Sequence, residues 1–207
     1  MNDIFSITIG REIGSGGNEI AQILASRLDC VLYDKQILAL AAKESGFSEK
    51  LFERHDERHG WLHNLIFNKV PIIGHANYYS EGITQGSLFQ FQSDVIRKES
   101  AEKRCIFIGR CADYILRDKP NNLNVFIYAD MEFKVKNIMQ RKQCDEESAR
   151  RIIREGERIR SEFYDYYTGQ KWGDKQYYDI CINSTEIGTQ ACAEYIIQFA
   201  KRFLKID

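Results

Sequence analysis

Residues 9–21 read IGREIGSGGNEIA: an apolar run ends at Ile9, glycines follow at 10, 14, 16 and 17, and a helical pattern begins after Asn18. A strand that passes through glycines into a helix start leaves backbone N–H groups facing one concavity, where the helix end adds roughly half a positive charge. The stretch therefore predicts an anion-binding loop made by Gly14, Ser15, Gly16, Gly17 and Asn18. Its plainer alternative is a tight strand-to-helix turn in which glycine only supplies positive φ. A P-loop reads Gly, four residues, Gly-Lys and then Ser or Thr, with the lysine on the terminal phosphates and the hydroxyl on magnesium. Here the span from Gly10 to Gly16 is one residue longer, Gly17 stands in the lysine place, and Asn18 replaces the hydroxyl residue. Another cation must then act, because backbone amides do not follow charge that develops on a transferring phosphoryl group. Arg11, inside the loop, is the first candidate and Lys35 the next. Gly14-Ser15-Gly16 also opens a dinucleotide-binding fingerprint, with Asp34 as its acidic residue. The third position of that fingerprint is Glu19, whose bulk hinders helix packing.

Strand-like runs at 4–9, 30–33, 105–108, 124–128 and 177–182 alternate with helical patterns. This alternation predicts an α/β fold with a parallel sheet. Ile20, Ile23, Leu24 and Leu28 give an amphipathic helix after the first run, and Cys192, Tyr195, Ile196, Phe199 and Phe203 give another near the end. A third helix opens at Asp145 with acidic residues at its positive end. With 207 residues and 43% hydrophobic content, one domain with one sizeable core is expected. Some seventy residues separate the second and third runs. That insertion, about 45–100, carries a polar helix near 48–58, the aromatics Trp61, Phe67, Tyr78, Tyr79, Phe89 and Phe91, and a loop at 80–87; it serves as a substrate lobe or a dimer contact. Lys plus Arg total 29 against 30 for Asp plus Glu, so no overall field recruits polymeric nucleic acid or an anionic membrane. No apolar run reaches the length of a membrane span and no signal peptide is evident, which places the chain in the cytoplasm. The six cysteines include no CxxC pair and read as reduced core thiols, Cys111 alone lying beside a candidate site.

Gly109-Arg110 follows the third run, at the carboxyl edge where open parallel sheets bind ligands. Arginine suits a two-pronged grip on phosphate. Downstream, SARRIIREGERIR supplies Arg150, Arg151, Arg154, Arg158 and Arg160, with 150, 154 and 158 on one helix face. Glu146, Glu147, Glu155 and Glu157 lie at pairing distance, so this helix alone reads as an exposed, salt-laced surface. Together with a glycine-rich anion loop, however, the arginines are the parts that phosphoryl transfer requires.

In these motifs the chain resembles the nucleoside monophosphate kinase superfamily and, within it, the cytidylate kinase-like family. ITIGREIGSGGNEIA stands for the P-loop, LYDKQIL follows the second strand, FIGRCADYIL precedes VFIYAD, and YYTGQKWGD runs into YYDICINST. The resemblance covers nearly the whole chain. It implies a three-layer P-loop kinase fold with a five-stranded parallel sheet, a helical acceptor-binding insertion and a helical lid at about 140–175. It also implies ATP with Mg2+ on the first loop, a nucleotide such as CMP as acceptor, and transfer of the γ-phosphoryl group. Arg110 would match the arginine that contacts the acceptor phosphate, while Arg154, Arg158 and Arg160 would match the lid arginines around the transferring group. Ile108 stands where cytidylate kinases carry an aspartate, so magnesium loses expected anchors; Asp34 and Asp113 are the nearest acidic candidates.

His55, His59 and His63 fall at helical spacing, but Gly60 interrupts the turn and no fourth metal ligand is evident. Tyr164, Tyr166, Tyr167 and Trp172 either stack a base or pack against the sheet. Two rivals to a nucleotide kinase stand: a nucleotide-binding regulator with a degenerate loop, and a kinase for another small acceptor.

Overall fold

A computed structural model describes residues 4–46 and 85–206. The expected polar helix near 48–58, the histidines 55, 59 and 63, and the aromatics at 61, 67, 78 and 79 lie outside the described residues. Five strands, β1 (Ser6–Arg11), β2 (Val31–Tyr33), β3 (Cys105–Ile108), β4 (Asn122–Tyr128) and β5 (Ile180–Asn183), form one parallel sheet in the order β2-β3-β1-β4-β5. The described helices are α1 (Gly17–Arg27), α2 (Gln36–Ser45), α3 (Gln85–Glu102), α4 (Ala112–Ile115), α5 (Met131–Lys142), α6 (Glu146–Thr168) and α7 (Gly188–Leu204). Residues 85–87, expected in a loop, begin α3. No helix among the described residues is long and apolar enough to cross a membrane.

Period-two alternation assigns the faces of the sheet. Ile7, Ile9, Ile106, Ile108, Leu123, Val125 and Ile127 face α1 and α7, meeting Ile20, Leu24, Ile196 and Ala200 in one core. Cys105 and Phe107 point the other way, into a second core with Ile37, Leu88, Ile96, Ile115 and Phe163 from α2, α3, α4 and α6. These two cores make the three-layer α/β sandwich. A satellite cluster joins α5 to α6 through Val135, Ile138, Ala149 and Ile153, with loop residue Ile13 packed on it.

The strand order rules out the dinucleotide reading, which places the acidic residue on a strand beside β1. Here β3 lies between β1 and β2, so Asp34 sits at the sheet's far edge. Expected strand ends shift for a physical reason at β1. Its ladder with β4 continues to Gly10↔Phe126 and Arg11↔Ile127, whereas its ladder with β3 stops at Ile9↔Ile108. Arg11 thus closes the strand, and the loop counted from it has the ordinary P-loop length that counting from Gly10 obscured. β5 begins only at Ile180, because 175–177 form a short 3-10 turn capped by the Asp174 side chain. As an edge strand it leaves Cys181 exposed, unlike the buried Cys105, Cys111 and Cys192.

Helix α6 starts where the sequence signals it. The Asp145 carboxylate accepts the Ser148 amide at 2.8 Å, and Gly169 ends the helix with φ 67°. The loop after β1 is equally determined by close approach. Gly14 has φ 84°, and a Cβ there would lie 2.8 Å from the Lys134 carbonyl oxygen.

Two outcomes follow for stability. Leu24→Ala, emptying a fully buried position between α1 and the sheet, is expected to cost about 3 kcal/mol in urea unfolding. Gly14→Ala is expected to destabilise by more than about 1 kcal/mol, since both the left-handed backbone and the Lys134 carbonyl oppose a methyl. In the same variant a fluorescent ATP analogue, titrated against wild type, is expected to bind at least tenfold more weakly, on the order of one lost backbone anion contact.

Candidate functional site

β1 lies between β3 and β4 at the point where the connections diverge to opposite sides, and ligands of open parallel sheets bind outside the carboxyl ends at that point. Two cavities meet there. The larger is a cleft of about 660 Å³ lined by Gly14, Gly16, Gly17 and Asn18 of the loop, by Gln22 of α1, by Asn137, Gln140 and Arg141 of α5, and by Thr189 of α7. The smaller is a slot of about 10 Å³ among Arg11, Arg110, Asp113, Arg160, Tyr164 and Tyr178. Among the described residues Arg160 alone lines both.

The cleft has the chemistry of a phosphate cradle. Gly16 is the N-cap of α1 with φ 79° and makes no side-chain cap, so nothing on its own side chain competes for the first amides of the helix. A Cβ at Gly16 would stand 2.5 Å from Thr189 Cγ2, and one at Gly17 would stand 2.6 Å from Arg11 Cβ. Glycine is therefore required for the bare backbone to form the wall of the cleft. The loop is held from behind. Ser15 is buried, its hydroxyl donates to the Glu12 carbonyl at 3.0 Å, and its own carbonyl accepts the Ser184 hydroxyl at 2.7 Å. Asn137 donates to the Gly14 carbonyl at 2.8 Å. Ser15 therefore shapes the loop with its side chain, and what it offers a ligand is its backbone.

The slot gathers three guanidinium groups. Arg11 is buried at the end of β1, with Nε 3.5 Å from Asn18 Oδ1. Arg110 is 1% exposed and lies in a run of left-handed residues, Gly109, Arg110 and Cys111, with φ of 67°, 63° and 54°. Such conformations cost on the order of 1 kcal/mol or more for a residue with a Cβ and persist where the surroundings impose them. Here they turn the chain from β3 back into α4 and deliver the Arg110 side chain beside β1. Arg160 reaches in from α6 and donates to the Arg11 carbonyl at 2.7 Å. Among the described residues, three cations and one carboxylate line this small space, a balance that favours an anion.

That carboxylate is Asp113. Burial pushes its pKa up, against the Tyr164 and Tyr178 hydroxyls that favour the ionised form. Tyr164 donates to Asp113 Oδ2 at 2.7 Å. Burial, followed by the charge of Asp113, holds both tyrosines well above the usual phenol range, so they remain donors at any ordinary pH. Tyr178 also covers Gly10, where a Cβ would meet its ring at 3.2 Å.

Of the residues expected in the site, Arg11, Arg110 and Arg160 are brought together, and Gly14, Gly16, Gly17 and Asn18 line the adjoining cleft. Arg154 and Arg158 line neither cavity. Both are exposed, and Arg158 pairs with Glu162 at 3.0 Å, as Arg150 does with Glu132 and Glu146 at 2.7 and 2.8 Å. Lys35 is exposed at the start of α2. Asp34 and Asp113 do not line the cleft, and among the described residues no group of three or more metal-ligating side chains converges. Of the aromatics, Tyr164 and Trp172 line the slot, Tyr167 stacks on Phe89 at 4.1 Å, and Tyr166 is 62% exposed. Burial raises Cys30 and Cys105 to about 12, so neither is a nucleophile at neutral pH.

Sequence reasoning missed the α5 contribution. Asn137, Gln140 and Arg141 lie at a spacing of three and four on one face of α5, a signal available in the sequence but carried by ordinary polar residues. It also missed Lys134, a lysine on the apolar side of that helix. Its Nζ lies 2.9 Å from both Glu12 Oε2 and Glu157 Oε1.

Comparisons with known proteins bear on the fold and the family. A solved structure of an uncharacterized protein from Eubacterium ventriosum ATCC 27560 is 28% identical, with a TM-score of 0.72, covering 95% of this chain and 98% of that one. Two more distant structures share the fold. Shikimate kinase from Bacteroides thetaiotaomicron is 10% identical with a TM-score of 0.53, covering 98% of this chain and 99% of that one. A gluconokinase from Sinorhizobium meliloti 1021 is 8% identical with a TM-score of 0.53, covering 99% and 96%. No curated protein matches the sequence. The fold is that of the P-loop kinases, and the family model that matches residues 6–186 spans the loop, the arginine slot and α6 alike: the chain belongs to the cytidylate kinase-like family.

Proposed function

We propose that the protein is a phosphotransferase that moves the γ-phosphoryl group of ATP, with Mg2+, to the phosphate of a small nucleotide, a pyrimidine monophosphate such as CMP being the first choice. The observation that carries this reading is the position of Arg160, common to a backbone-lined cleft and an arginine-lined slot. Phosphoryl transfer needs a donor site and an acceptor site that open onto one another, with a cation at the junction where negative charge spreads. ATP fits the cleft because the glycines at 14, 16 and 17 leave room for its phosphates against bare amides. When bound, ATP supplies the group transferred, and magnesium neutralises its oxygens.

The chain's own residues then have separate tasks. The amides of residues 14–18 hold the donor, and Arg110 holds the acceptor phosphate in the slot. Arg160 bridges the two and offsets the charge between them, in place of a loop lysine. The slot has room for about one water-sized group, so its wall of Tyr164, Trp172 and Tyr178 must yield as an acceptor enters. Tyr164 and Tyr178, fixed by Asp113, close it again and keep water from the reacting phosphoryl group. Arg154 and Arg158 are assigned to this chemistry by the family resemblance alone, and they would join it only by movement of α6. The choice of a pyrimidine likewise rests on the family.

Two other readings remain proposals. A nucleotide-binding regulator is favoured by Gly17 in the lysine place; it predicts binding without turnover. A kinase for a different small acceptor is favoured by the small size of the slot.

The deciding experiment incubates the protein with ATP, Mg2+ and a panel of nucleoside and deoxynucleoside monophosphates and small polyols, with products separated by chromatography. Acceptor-dependent diphosphate formation, strongest with CMP or another pyrimidine nucleotide, is expected; ATP binding with no product from any acceptor would overturn the enzyme reading. In the active assay, Arg110→Met is expected to lower kcat/KM for the acceptor by about ten- to a hundredfold, the worth of a charge-assisted phosphate contact. Arg160→Met is expected to lower kcat by on the order of a hundredfold, as loss of one donor at a developing charge does, with the KM for ATP little changed.

A further inference from the structure

We propose that Lys134 is a positioning residue, whose buried ammonium ties the donor loop to helix α6 and thereby fixes Arg160 at the junction of the two cavities. The assignment rests on the kinase reading above. The Lys134 side chain is 6% exposed, and its Nζ bridges Glu12 Oε2 and Glu157 Oε1 at 2.9 Å each. The three residues come from three separate segments: the loop after β1, α5 and α6. Lys134 lines neither cavity, so its influence on a ligand passes through its partners.

Those partners are placed where such influence counts. Glu12 lines the cleft, and its Oε2 also accepts the Ala129 amide at 3.2 Å, fixing it to the end of β4. Glu157 and Arg160 are three residues apart and share one face of α6. On the same side, Gly156 lies against the loop so closely that a Cβ there would stand 3.0 Å from Ile13 Cγ1. Three successive points of α6 thus meet the donor loop: Gly156 on Ile13, Glu157 through Lys134 on Glu12, and Arg160 on the Arg11 carbonyl.

Apolar packing by Ile13 alone does not fix the register of a helix, because such contacts are non-directional. A slip of one turn would carry Arg160 about 5.4 Å along the helix axis, out of reach of the slot. A buried lysine between two carboxylates supplies the missing direction. Burial works against its charge, but the hydrogen bonds and charges of Glu12 and Glu157 more than offset this and raise its pKa, so the ammonium stays charged through neutral pH. Fixing register is the best attested use of a buried ion pair, whose net contribution to stability is otherwise small.

The test uses Glu157→Gln, which takes the charge out of the tie to α6 while leaving Lys134 paired with Glu12, and Lys134→Arg, which keeps the charge. Amide hydrogen exchange over 153–168, affinity for a fluorescent ATP analogue and acceptor-dependent turnover are measured. In Glu157→Gln, exchange over this segment is expected to accelerate and kcat to fall about ten- to a hundredfold, the scale of a misplacement of about 1 Å. ATP analogue affinity should stay within about threefold, since the loop amides are untouched. Lys134→Arg should recover most of the turnover and the exchange protection. Unchanged exchange together with unchanged kcat in Glu157→Gln would overturn the proposal. If wild type itself transfers nothing to any acceptor, the kinase reading fails, and the exchange comparison still decides whether Lys134 holds α6 to the loop.

Discussion

The arrangement of the site depends on a mismatch of two residues between the ladders on either side of β1. With β4 the pairing runs on to Arg11↔Ile127, while with β3 it ends at Ile9↔Ile108. Past Ile108 the third strand must leave the sheet, and three left-handed residues take it away at once. The space this opens beside Gly10 and Arg11 is the arginine slot. On the other side, β1 stays bound to β4 until the loop begins, so the loop starts from a rigid base and Glu12 still donates its amide to the Ile127 carbonyl at 2.9 Å.

Charge in the site is sorted by depth. At the cleft the loop presents backbone, beside Asn137, Gln140 and Arg141 of α5, with the cation of Lys134 held behind it and paired with two carboxylates. The slot presents guanidinium groups backed by a tyrosine-bonded aspartate. A loop lysine would have combined the two functions in one mobile side chain. In this chain they are divided: Lys134 stabilises the loop from beneath, and Arg160 presents charge from above. Arginine suits the second task because its planar group carries five N–H donors in a fixed fork, one of which serves the Arg11 carbonyl.

Much of this was legible in the sequence where a residue type has one dominant use. The glycines at 14, 16 and 17 announced a close-packed backbone loop, Asp145 announced a helix start, and Gly109-Arg110 announced an arginine at the carboxyl edge of the sheet. The helical arginines were less readable, since 150, 154, 158 and 160 share a composition typical of both solvent and site. Only Arg160 points inward, because position 160 falls on the face that also carries Ile153 and Phe163 toward the cores, whereas 154 and 158 fall opposite. The length of the loop was misjudged because strand and loop share the Gly10-Arg11 pair, and pairing with β4, a contact over a hundred residues away, decides where one ends. Lys134 was invisible for a related reason: nothing local distinguishes a lysine on an apolar face from one whose stem lies along it with the charge in water.

The glycine loop lies early in the sequence, but the groups that shape it do not. Ser184 holds the Ser15 carbonyl, Thr189 sets the space beside Gly16, and Lys134 and Asn137 hold the loop from α5. Ribosomal synthesis runs from the first residue onward, while a domain generally folds as a unit. Synthesis makes the glycines early and the scaffold that gives them shape late. The shape of this loop therefore depends on chain made as late as residue 189, after Arg110 and all of α6.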